Sequence, residues 1–156
     1  MGYDFDFRVI WQYRDLFLQG ALMTIRITAI ATVLGVSVGV IMAGLQLLKN
    51  RALSSVIQAY IEVIRNTPFL VQLFFVYFGL PTLDIFIPAW QAALLALTIN
   101  TGAYATEIVR AGIESISKGQ IEAGRSLGLS GIQIFLYVIL KPALMVVYPA
   151  LTSQFI

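Results

Sequence analysis

The sequence has no cysteine and no histidine, and only 12% of its 156 residues are charged. Without cysteine there are no disulfides or thiolate metal ligands, and without histidine as well transition-metal chemistry has almost no ligands left. Nucleophilic catalysis by a Ser-His or Cys-His pair is excluded on the same ground. The shortage of charge excludes more. A soluble domain carries about 25% charged residues and about 45–50% apolar ones, whereas 59% of the side chains here are hydrophobic. Too little polar surface remains to keep the outside of a globule wet. A soluble enzyme, a disordered tail and a nucleic-acid-binding domain are therefore set aside, the last despite a net charge of +2.

What is present is a row of long apolar stretches. Residues 27–48, 66–83 and 85–106 carry no charge, and each reaches the roughly 17–25 residues a helix needs to cross about 30 Å of hydrocarbon. The pattern predicts an all-α, polytopic transmembrane bundle. Four spanning helices are expected at about 20–48, 56–79, 89–115 and 131–156, with a short helix at about 118–127. Ahead of them, residues 1–19 mix Trp11, Tyr13 and Phe17 with Arg8, Arg14 and Asp15, which suits an extracytoplasmic segment lying among lipid headgroups. That stretch lacks a basic leader region and the apolar run after it is too long for a cleaved signal peptide, so it is expected to stay in the mature protein.

Details within the spans sharpen this reading. Gly35, Gly39 and Ala43 repeat every four residues, a stripe that lets another helix approach closely in lipid. Pro68 removes a backbone donor and frees the carbonyl of Ile64, so a bend is expected there. Residues 49–55 read as a short polar loop. Ser117 with Gln120, and Ser130 with Gln133, both have the Ser-x-x-Gln spacing of a capping box, with hydrophobic staples from Ile116 to Ile121 and from Leu129 to Ile134. The short helix then ends in a sharp turn at Gly128, and the fourth long helix starts near Gly131 and is kinked by Pro142 and Pro149. Lys49, Arg51 and Arg65 flank the first loop, and Arg110, Lys118, Arg125 and Lys141 flank the third, while the second has only Asp84. By the positive-inside rule the first and third loops are cytoplasmic and the amino terminus lies outside.

The short helix carries the most specific pattern. The run from Gly119 through Gln120, Glu122, Ala123, Gly124, Arg125, Leu127 and Gly128 to Ser130 resembles the EAA loop of the inner-membrane permease subunits of ABC importers. Upstream, the stretch from Arg65 and Asn66-Thr67-Pro68 through Gln72 to Gly79 and Pro81 is similar to the second-helix signature of permeases for polar and charged amino acids, the histidine, arginine and glutamine group. Asn100-Thr101-Gly102-Ala103-Tyr104 with Glu107 and Arg110 resembles the segment that precedes the loop in that group. The likeness covers nearly the whole chain from Gly20 onward. Two departures stand out: Gly124 replaces the motif's second alanine, and Leu140-Lys141-Pro142-Ala143 sets its proline one residue later than the usual Leu-Pro-Gln-Ala.

The resemblance implies a multi-pass permease in the bacterial inner membrane that imports polar or charged amino acids. It implies four kinds of partner: ABC ATPase subunits, a second permease copy or a homologous permease, an extracytoplasmic solute-binding protein, and the lipid bilayer. The helix at 118–127 would be the coupling helix, with Gly119, Glu122, Ala123, Gly124, Arg125 and Gly128 contacting the ATPase or setting its turn. No cofactor is expected in this chain; ATP and Mg would sit on the partner, because the Gly-rich loop with Lys and Ser/Thr that cradles phosphates is absent here. The chain itself is therefore not expected to be an enzyme.

Substrate contacts follow from helix geometry. Asn100, Tyr104 and Glu107 stand at i, i+4 and i+7, within about 40° of one another, so they share a face. Polar groups in a membrane helix turn to the bundle interior or a water-filled path, where a carboxylate suits an ammonium group. The plainer alternative is that Glu107 pairs with Arg110 or Lys118. Asn66, Thr67 and Gln72 beside the Pro68 bend are further candidates, with the alternative that they satisfy the backbone Pro68 exposes. Tyr77 and the aromatics of residues 74–78 read as packing or an interfacial belt.

Two rival classes remain at this level. A secondary transporter or channel fragment independent of an ATPase predicts paired charges near mid-membrane, which residues 27–48 and 85–106 lack. A non-transporting helical scaffold needs only the glycine stripe. With four helices against the five-helix core usual in the group, and a last apolar helix still running at Ile156, the chain is expected to be a carboxy-terminally incomplete permease unable to transport alone.

Overall fold

A computed structural model describes residues 8–46 and 50–154, and every regular element among them is helical. A short helix α1 (Arg8–Gln12) leads into the long α2 (Arg14–Gln46). The expected interfacial segment does not stand apart from the first span. The Tyr13 amide donates to the Val9 carbonyl and the Phe17 amide to the Tyr13 carbonyl, both at 3.1 Å, so the chain turns only briefly before α2 begins. Arg14, Leu16, Leu18 and Gln19 are good helix formers, and Gly20 costs a helix only about 1 kcal/mol. Residues 1–7 of the expected segment lie outside the described residues, as does Lys49 of the first loop.

The rest of that loop is helix. Asn50 caps α3 (Arg51–Arg65) with its side-chain oxygen on the amides of Ala52 and Leu53 at 3.0 and 3.2 Å, so the polar residues 51–55 form its first turn. The second expected span, 56–79, is two helices. After α3, Asn66–Pro68 leave the helical path, α4 (Phe69–Gly79) starts at Pro68, and the direction changes by 104°. A 3₁₀ turn, Leu80–Leu83, closes on Asp84 in the left-handed conformation (φ 60°), which aspartate tolerates better than most residues. Pro88 then starts α5 (Ala89–Glu114), close to the expected bounds.

α5 is the hub, packed against α2, α3, α4 and α8. Ala31, Gly35, Gly39 and Ala43 form the buried stripe of α2, extending the expected one by a turn. A Cβ on Gly35 would lie 2.6 Å from the Thr101 Cβ, and one on Gly39 2.5 Å from the Ala105 Cβ. The two backbones are thus in contact, and because 35 faces 101 while 39 faces 105, the helices run parallel. A chain that crosses a bilayer twice in one direction must return in between. That return falls to the bent pair α3–α4. Small residues fill the interior (Ala92, Ala96, Ala103 and Ala105 are buried) while Val33, Phe75 and Phe86 point outward. This distribution suits lipid, where close backbone approach rather than hydrophobicity drives association.

The expected short helix is present as α6 (Lys118–Ser126), and Gly128 makes the turn after it with φ +74°. Of the two Ser-x-x-Gln signals, only the second is a complete box. Ser130 accepts from the Gln133 amide at 3.3 Å while Gln133 accepts from the Ser130 amide at 2.9 Å; at Ser117 only the forward bond to the Gln120 amide forms, at 3.4 Å. The fourth expected span is not one uniform helix. A single turn, α7 (Gly131–Gln133), passes into a π-helical stretch, Ile134–Leu140, and then α8 (Lys141–Gln154), which contains Pro149. Pro142 cannot donate to the carbonyl four residues back, and the widened turns stand just before it. The π-helical stretch ends at Leu140, and Lys141-Pro142 begins the first turn of the next helix in place of a regular α-helical run. Among the described residues two helices, α2 and α5, are long and apolar enough to cross a membrane unbroken, and α3–α4 makes a third as a bent span. The expected fourth span is not among these.

Candidate functional site

Two sets of residues meet the chemistry expected of the sequence. The first lies at the elbow between α3 and α4, against the face of α5. Gln72, 8% exposed, donates from its amide nitrogen to the carbonyls of Ile64 and Thr67, both at 2.8 Å, and accepts from the Asn100 amide at 3.1 Å. The Ile64 carbonyl is the group Pro68 frees, so Gln72 does satisfy the exposed backbone, and it also ties the elbow to α5. Thr67 turns its hydroxyl back to the Val63 carbonyl at 2.6 Å, while Asn66 is exposed and closes the end of α3 through its amide on the Glu62 carbonyl. A groove of about 740 Å³ opens beside them, lined by Val63, Ile64, Thr67, Gln72, Phe75 and Ile99 among others.

One turn further along α5, Tyr104 carries the guanidinium of Arg65 over its ring, 5.4 Å from the centroid. Glu107 pairs with Arg110 at 2.6 Å and stands 3.9 Å from Arg65; Arg110 also holds Glu114 at 2.8 Å. Asn100, Tyr104 and Glu107 thus share a face, and it is turned toward the elbow. Glu107 does pair with Arg110, as the plainer alternative had it, and it also stands near Arg65. In the sequence Arg65 served as a topology marker and as the first residue of the second-helix signature, and was not among the candidate contacts. Its partners lie some forty residues away and become visible only when α3 is folded against α5.

The second set is α6. Gly119, Glu122, Ala123 and Arg125 are exposed along it, and Leu127 just after it is 80% exposed. Gly124, expected to allow close approach of the ATPase, is turned inward: it is buried, and a Cβ there would lie 3.3 Å from Ile134 Cγ1 and 3.5 Å from Val138 Cγ2. Its lack of a side chain seats α6 on the π-helical stretch. The outer face is mixed, polar at Glu122 and Arg125 and apolar at Leu127, a residue of the motif run that was given no contact role. No group of three or more metal-ligating side chains occurs among the described residues.

The comparisons with known proteins bear on both sets. Residues 35–156 match the family of binding-protein-dependent transport system inner membrane components. The chain belongs to that family. Every residue named above at the elbow, on α5 and on α6 falls inside the matched range of this inner membrane component. Among similar proteins, the glutamine transport system permease protein GlnP of Escherichia coli K12 is 39% identical over 154 residues, covering 97% of this chain and 70% of GlnP. A glutamine transport system permease of the same name from Shigella flexneri matches at the same identity and coverage. A crystal structure of an amino acid ABC transporter with histidines superposes with a TM-score of 0.88 at 40% identity, over 98% of this chain and 72% of that one. This chain therefore spans about 70% of the length of the permeases it resembles.

Proposed function

We propose that this inner membrane component forms the translocation path of an ABC importer for polar or charged amino acids, driven by ATP hydrolysis on partner subunits that dock on α6. The observation that carries the coupling is the two-sidedness of α6. Its inner face is locked onto Ile134 and Val138 through Gly124, while Glu122, Ala123, Arg125 and Leu127 are free outside. A partner that grips the outer face moves the following helix with it. ATP and Mg belong to that partner, and Gly128 fixes the angle of the lever. The α6 end is cytoplasmic by the distribution of basic residues, and the amino terminus lies outside.

The elbow is the proposed substrate path. Thr67 and Gln72 line the groove beside the elbow, and Asn100, Arg65 and Glu107 add polar and charged groups next to it, a set that suits the zwitterionic head of an amino acid. The names of the relatives support glutamine as the first substrate to test. A second permease copy, an extracytoplasmic binding protein and a fourth span from Gly131 onward complete the proposal. The test is reconstitution of the chain with its ATPase and binding protein in proteoliposomes. ATP-dependent glutamine uptake is expected, with co-purification of the ATPase lost in a Glu122→Arg, Leu127→Asp variant. Uptake without ATP, or ATPase capture that survives both changes, overturns it.

A further inference from the structure

We propose that Arg65 is a movable latch between the α3–α4 elbow and α5, resting on Tyr104 in the present conformation and seating on Glu107 when the elbow closes. The inference deepens the importer reading and rests on it for its meaning, though not for its test. Arg65 is the last residue of α3, so its position follows the elbow directly. Its guanidinium stacks over Tyr104 at 5.4 Å, a normal cation–π distance, but reaches Glu107 only at 3.9 Å, the outer edge of an ion pair. That longer contact is to Glu107 Oε1, which Arg110 already holds at 2.6 Å.

The other carboxylate oxygen, Glu107 Oε2, is buried and has no hydrogen-bond partner among the described residues. A carboxylate and a guanidinium favour two parallel bonds, and one oxygen serving two arginines while its twin serves none is a poor resting arrangement for a static pair. It is a good one for a pair with a second position. Closing the gap to a normal charge-assisted bond takes a movement of about 1 Å. Arg110 is anchored by Glu114, which holds Glu107 in place to receive it. The elbow supplies the freedom, because Asn66–Pro68 interrupt the helix and Gln72 is what ties the two arms together there. Seated on Glu107, Arg65 draws the end of α3, and with it Val63, Ile64 and Thr67 of the groove wall, onto α5.

The chain has no cysteine, so Thr67→Cys places a single thiol at the elbow for labelling with a membrane-impermeant maleimide. The measurement uses the full permease–ATPase complex in proteoliposomes. Arg65→Ala and Glu107→Gln are each expected to speed labelling about threefold, and the two together no more than either alone, because they remove one link. Arg65→Lys, which keeps the charge without the fork, falls between. Labelling at the parent rate in both single variants overturns the latch, as does a double variant whose effects add. Glutamine uptake by the parent complex is read separately. Its absence counts against the importer reading, while the labelling rates still decide the latch.

Discussion

The Gln72 side chain donates to the carbonyl of Ile64 from 2.8 Å, and that carbonyl is the one Pro68 leaves without a helical donor. The residue four places after the proline thus repairs what the proline breaks, and by accepting from Asn100 it makes the repair a contact between two helices. Replacing Gln72 with leucine keeps the volume but strips three bonds. Each buried polar group left bare costs about 1–3 kcal/mol, so Gln72→Leu is expected to destabilise the chain by that order in detergent denaturation. Unfolding at the parent midpoint would show that the elbow holds without it.

The glycines of α2 make opposite predictions. At Gly39 an added methyl meets the Ala105 Cβ and the Thr106 amide nitrogen at 2.5 and 2.8 Å, whereas at Gly44 nothing lies within 4 Å. Gly39→Ala must push two backbones apart, at about 1–3 kcal/mol. Gly44→Ala gains helix propensity, up to about 1 kcal/mol. Thermal unfolding of the two variants side by side should bracket the parent; the same shift in both would mean that the stripe does not pack as described.

Gly128 holds φ at +74° with open space around it, so conformation alone decides its substitution. Gly128→Ala should cost about 1–2 kcal/mol and Gly128→Asn less. The expected readout is loss of ATPase co-purification in the alanine variant, partly recovered in the asparagine one, as the angle between α6 and the next helix relaxes.

On α6 itself, faces should separate by assay. Leu127→Asp acts on an 80% exposed side chain and is expected to leave unfolding unchanged while weakening ATPase binding about tenfold or more. Gly124→Ala presses on Ile134 at 3.3 Å and is expected to leave binding intact while lowering the uptake obtained per ATP hydrolysed. Equal loss of binding in both would mean that the two faces do not act separately.

Much of this was legible in residue order. The small-residue stripe, the bounds of α5, the capped α6 and the turn at Gly128 follow from local chemistry: spacing by four, a starting proline, a serine cap, a glycine. The size of the bend at Pro68 does not, because a proline in a membrane helix says that one bond is lost and not that Asn66 and Thr67 also leave the helix. The inward turn of Gly124 depends on where Ile134 and Val138 come to lie, and the π-helical stretch on how the chain packs ahead of Pro142. The meeting of Arg65 with Tyr104 and Glu107 is tertiary throughout, and counting charges at loop ends treats the arginine as an anchor when it is a contact.

The parallel, backbone-tight pairing of α2 with α5 carries a mechanical consequence. Helices that touch at Gly35 and Gly39 cannot slide past each other, since a shift of one residue drives Thr101 or Ala105 into the neighbouring main chain. The two behave as a single beam. A push on α6, which follows α5 after only three residues, is delivered to both at once. The parts left free to give are the elbow and the π-helical stretch, so a tight seam between two helices determines where the chain bends.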